Sequence, residues 1–113
     1  MFKFEKNPVF TWPVKVQVPV DGGKYEEQVF TARWQLQDAD ELRAAQTALG
    51  ADGVKVLFER ALKGWSTDLR DEADNPIPFT PENVDACRRA PHVKTALVLS
   101  YWSAADGSLR EKN

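Results

Sequence analysis

Trp12–Leu36 reads WPVKVQVPVDGGKYEEQVFTARWQL, and its patterning decides the fold. Val14, Val16, Val18 and Val20 fall on one side of an alternation whose other side carries Lys15, Gln17 and Pro19. Alternation of β-branched residues with a period of two marks a strand with one face buried and the other wet. Asp21-Gly22-Gly23 follows, a set of residue types that tolerates the positive φ of a tight hairpin turn. A second alternation begins at Tyr25 and places Phe30, Ala32, Trp34 and Leu36 on one face, with Thr31, Arg33 and Gln35 on the other. The two runs predict an antiparallel β-hairpin. A hairpin alone is marginal in water, so the rest of the chain must cover its apolar face.

The cover reads as helical. Asp38 with Glu41 three residues later fits a helix start, and Leu42, Ala45 and Leu49 share a face until Gly50 ends it. Val54, Leu57, Phe58, Ala61 and Leu62 follow the stripe of a second amphipathic helix, which Gly64 closes. Asp71–Pro78 is too rich in acids and prolines for regular structure and reads as an exposed loop. Thr80-Pro81-Glu82-Asn83 then opens a short helix with a hydroxyl cap, a proline at the first helical position and an acid at the positive end of the dipole. Val84 and Cys87 face inward there, and Arg88-Arg89 sit where positive charge is favourable. Pro91 starts a last helix whose stripe is Val93, Ala96, Leu97, Ser100 and Tyr101. Val98, Leu99 and Trp102 widen that stripe beyond the usual arc, which places this helix centrally or beneath a partner. The expectation is an α+β fold, an N-terminal antiparallel β-hairpin packed on a bundle of about four helices.

With 113 residues the chain has the length of one domain, 1–113, with loose ends expected at 1–9 and 106–113. The net charge of −2 gives nucleic acid and anionic lipid no electrostatic attraction. Nothing approaches the roughly 20 uninterrupted apolar residues of a membrane span, and Met1–Pro8 lacks the apolar core of a signal peptide. Cys87 stands alone and cannot form an internal disulfide, which suits a reducing compartment. A soluble intracellular protein is expected.

The residues offer little to catalysis. His92 is the only histidine and sits in the first turn of a helix; its pairing with Cys87 as imidazole and thiolate is surrounded by no family signature. The acids Asp68, Asp71, Glu72 and Asp74 miss the calcium-loop pattern, since no glycine takes the sixth position and Pro76 interrupts it. Gly22-Gly23 precedes a strand and lacks phosphate-loop spacing. One cysteine and one histidine cannot assemble an ordinary zinc site. We therefore expect no catalytic residue, no metal and no cofactor. The aromatic residues remain: Trp34 and Phe58 belong to the core, whereas Trp65 and Phe79 flank the acidic loop, where aromatics also serve as interface anchors. Trp65, Phe79, Leu99 and Trp102 are the candidate partner-binding residues.

Beyond Gly64-Trp65 the chain carries Asp74-Asn75-Pro76-Ile77-Pro78-Phe79-Thr80-Pro81-Glu82-Asn83, then Pro91-His92-Val93 and the helix through Tyr101-Trp102. With the Val-rich strand, turn, second strand and helical middle before it, this order resembles the tail assembly chaperones of long-tailed phages and prophages, over about Phe10–Trp102. Asn75 departs from the glycine expected there, a mild change because asparagine tolerates turn geometry. The resemblance implies a non-catalytic helper that binds the largely helical tail tape measure protein in the bacterial host cytoplasm and is absent from the mature virion. It also implies the tail tube protein as a further partner, and self-association. The alternative is a structural minor tail or connector protein retained in the particle.

Overall fold

The structure, a computed structural model, describes residues 1–49 and 52–107. The helix end expected at Gly50 and the tail beyond 107 lie outside the described residues. The chain runs β1 (Val9–Val20), β2 (Lys24–Gln35), α1 (Ala39–Leu49), α2 (Gly53–Ala61), β3 (Leu62–Trp65), α3 (Pro81–Arg89) and α4 (Pro91–Ala105). It is an α+β fold: an antiparallel sheet in the order β1-β2-β3, with four helices among the described residues.

The hairpin forms as its alternation predicts. β1 and β2 pair in unbroken register from Val9↔Gln35 to Val20↔Lys24. Gly22 and Gly23 turn the chain at φ 88° and 73°, a region where a side chain is strained even though nothing crowds either position. Pro13 and Pro19 lie on β1, an edge strand of the sheet, where a residue without an N–H is tolerated. The inner face buries Val14, Val16, Phe30, Ala32 and Trp34. Val20 does not join them. It is exposed near the hairpin tip, as is Tyr25, while Val29 is exposed in mid-strand on the outward face, opposite Lys15.

A third strand corrects the reading of the middle of the chain. The second helix stops at Ala61, and Leu62–Trp65 pairs with β2 through Ala32↔Trp65, Arg33↔Gly64 and Trp34↔Leu62, with a register shift between Arg33 and Trp34. Leu62 is buried in the strand and also falls on the apolar stripe that a continued helix would have, so the stripe runs through it without revealing the change. The free edge of β2 supplies backbone partners that another helical turn would forgo, and a four-residue strand is too short to display a period of its own.

Trp34 is the centre of the core. Its indole lies 5.3 Å from the Tyr101 ring and 6.3 Å from Phe58, and its Nε1 donates to Ser100 Oγ at 3.2 Å. Tyr101 Oη accepts from the Gln37 backbone N–H at 3.0 Å. These bonds fix the rotation of α4 against the sheet, and α4 packs along β1. Leu42, Val56, Leu57, Phe58, Ala61, Leu62, Cys87, Ala96 and Leu97 complete the buried set. Helix starts follow their caps: Asp38 Oδ1 accepts from Asp40 and Glu41 N–H, Asp52 Oδ1 from Val54 N–H, and Thr80 Oγ1 from Asn83 N–H.

Candidate functional site

The geometry sorts the four candidate residues into two pairs. Leu99 and Trp102 lie three residues apart on α4, on the side opposite the buried Leu97, Ser100 and Tyr101. Leu99 is 60% exposed and Trp102 40%. The Trp102 ring stands edge-on to Tyr101 at 5.0 Å, so it is supported from behind while its outer face meets solvent. Beside it lies a shallow depression of about 420 Å³ that Val98, Trp102, Leu57, Val54 and Gln46 help to line.

Trp65 and Phe79 form the second pair, with ring centroids 4.8 Å apart and planes at 79°. Trp65 is half-buried against the core, and its Nε1 donates to Ile77 O at 2.7 Å. It therefore pins the chain that leads into α3. Phe79 stays 41% exposed and forms one wall of a groove between α2 and α3. This groove has a volume of about 530 Å³ and an apolar lining of Phe58, Leu62, Phe79 and Val84. Trp102 and Phe79 border different depressions, so the four residues do not form one patch.

Charge surrounds the second groove. Arg88 donates through Nε and Nη2 to Asp85 Oδ1, at 3.0 and 2.7 Å, and through Nη1 to Asp52 Oδ2 at 2.9 Å. Arg89 holds the other Asp85 oxygen at 2.8 Å. The Arg88 hydrogen bond chiefly holds the Asp85 carboxyl below its ordinary range, with Arg88, Arg89 and Lys55 adding their charge. At Asp52 burial pushes the carboxyl up, but the Lys55 and Val54 N–H groups and Arg88 outweigh it and the net shift is downward. This network ties the start of α2 to α3. The side chains of Glu59 and Glu82, also on the groove, have no ion pair or hydrogen bond among the described residues.

The acidic loop is more ordered than its composition suggests. Asp71 Oδ1 accepts from the N–H groups of Ala73 and Asn75, Arg70 Nη1 donates to Asp74 O, and Ile77 N–H donates to Leu69 O. Asp74 takes φ 65°, a left-handed conformation that aspartate accepts more readily than most residues. Asp71 thus acts as the organiser of a turn. Cys87 is buried, and its surroundings push the thiol up, away from the thiolate form a nucleophile needs. His92 is exposed at the start of α4. Among the described residues no helix is long and apolar enough to cross a membrane.

The groove between α2 and α3 has no counterpart among the sequence expectations apart from Phe79. Its lining comes from α2, β3, the loop and α3, and only their packing assembles it. Unpaired glutamates on an apolar rim were its one signal in the chain, and that signal has meaning only after the elements meet. Comparison with protein-family models, with curated proteins and with solved structures finds no match.

Proposed function

We propose that this chain is a non-catalytic phage or prophage tail assembly chaperone, which binds the tail tape measure protein and shields its apolar surface while the tail is built. The observation that carries the reading is the outward pair Leu99 and Trp102, two large apolar side chains exposed on one rigid helix face. Soluble surfaces do carry single exposed apolar residues, but a Leu–Trp pair at helical spacing matches the apolar stripe of an amphipathic partner helix. The motif order Gly64-Trp65, Pro76–Asn83 and Pro91–Trp102 supports the same function. The helix presenting the pair is locked from behind by Ser100 and Tyr101, so little ordering of this chain would accompany binding.

Co-expression with tape measure fragments tests the proposal. The fragments are expected in the soluble fraction only when this chain is present, and to co-purify with it. Equal insolubility with and without the chain would remove the reading. Purified particles are expected to lack the chain; stoichiometric retention would replace the chaperone with a structural tail component.

A further inference from the structure

We propose that the groove between α2 and α3 receives Phe2 and Phe4 of a second copy of this chain. Two unmet surfaces on one molecule carry the inference. Phe2 and Phe4 are 83% and 79% exposed, and their main aromatic contact is with each other, edge-on at 6.4 Å. The groove, about 530 Å³ with Phe58, Leu62, Phe79 and Val84 in its lining, falls in the size range that takes a small organic ligand and suits two phenyl rings.

The segment has a form that suits the groove. The Phe2 and Phe4 rings lie side by side with centroids 6.4 Å apart and both exposed, so they present one apolar edge. Lys3 lies between them without an ion-pair partner among the described residues, and a lysine stem can lie along apolar surface while its ammonium reaches the rim. That rim carries Glu59 and Glu82 together with Lys55, so once Asp85 is paired with Arg88 an excess of negative charge remains on the groove. Charge and shape are therefore complementary between residues of the same sequence.

A second copy is the occupant because the segment's base is already held. Lys6 pairs with Glu41 at 3.5 Å, Asn7 Nδ2 donates to Leu36 O at 2.9 Å, and Leu36 N–H donates to Pro8 O at 2.9 Å. From that anchorage both rings stand in solvent and the chain's own groove stays open. Segment and groove are different patches, so the contact is head-to-tail and propagates into chains or rings; it does not close as a symmetric dimer. Two phenyl rings of roughly 150–250 Å² each make a small interface, so the association is weak and depends on concentration. It does not depend on which partner the α4 face takes.

Sedimentation velocity of the full chain, from micromolar to millimolar concentration, tests this. The weight-average sedimentation coefficient is expected to rise past the dimer value. Phe2→Ser with Phe4→Ser should weaken association by at least about tenfold per ring, and Phe79→Ser with Glu59→Lys should weaken it from the other side. A mixture of these two double variants retains one intact segment and one intact groove, and should stop at a heterodimer. The Phe2/Phe4 variant changes only exposed side chains, so it decides the matter even if the groove variant fails to fold. A wild-type chain that is monomeric throughout overturns the proposal, whether its segment is free or folded back on its own groove. Undiminished association of the Phe2/Phe4 variant overturns it equally.

Discussion

Ser100 does more for this fold than its size suggests. Its hydroxyl accepts from the Trp34 indole, and both groups are buried. In Ser100→Ala the indole N–H loses its acceptor in a site closed to water, a loss that costs about 1–3 kcal/mol. Leu99, one position earlier, projects outward, and Leu99→Ala should shift stability by no more than about 0.5 kcal/mol. Urea unfolding followed by tryptophan fluorescence separates the two neighbours. Equal destabilisation would mean that α4 is rotated differently from the arrangement described. The inward face of Trp34 was legible from the alternation of β2, and Ser100 fell on the expected stripe of α4. Their bond across 66 positions was not legible, because periodicity assigns a face and never a partner. The same limit applies to Leu99 and Trp102. Periodicity set them outside the stripe of Val93, Ala96, Leu97, Ser100 and Tyr101, and the Trp34–Ser100 and Gln37–Tyr101 bonds are what hold that stripe against the sheet.

Among the elements, those with their own local signals were read correctly and those defined by neighbours were not. The caps at Asp38 and Thr80 were visible because a side-chain acceptor must stand within three residues of the N–H groups it satisfies. β3 was hidden because β2, thirty residues away, makes it a strand. Thr80→Ala removes the hydroxyl that accepts from Asn83 N–H and should lower stability by about 1 kcal/mol, read as a shifted urea midpoint at unchanged slope. Acid should loosen the seam between α2 and α3. Asp38, Asp52 and Asp85 all have folded carboxyls below their ordinary values, Asp38 chiefly through the Glu41 N–H. A depressed folded pKa contributes stability that is complete above the unfolded value, near 3.9, and is lost as pH falls through the lower folded value. Urea midpoints should therefore fall as the solution is taken below about pH 4. Asp85→Asn, which cannot take up that proton, should flatten part of the slope. These carboxylates are partly solvated, so added salt should reduce the effect. A midpoint that is flat through the acid range would show that the Arg88 network contributes nothing.

At the scale of the whole molecule, the apolar residues left outside are not those a minimal core would leave. Trp34, Phe58 and Tyr101 fill the interior, while Leu99 and Trp102 on α4 and Phe79 in the loop before α3 face solvent. Exposure without a stability gain is tolerable for a surface that is covered part of the time, and the chaperone reading requires such a surface. It makes a prediction that separates binding from folding. Leu99→Asp with Trp102→Asp places two carboxylates on this face and leaves the Trp34–Ser100 and Gln37–Tyr101 bonds in place, so the chain should still fold, with a urea midpoint lowered by the lost Trp102–Tyr101 contact. A negatively charged face cannot be desolvated against an apolar stripe without losing more than it gains. Hot-spot truncations typically lose at least about 2 kcal/mol, roughly thirtyfold in affinity. The doubly charged variant should therefore remain folded and soluble yet fail to hold tape measure fragments in solution when co-expressed. Retained rescue by this variant would move the contact away from α4. Rescue lost only in Phe79→Ser would move it to the groove between α2 and α3, where a partner helix and the Phe2–Phe4 segment of another copy would then compete for the same apolar floor.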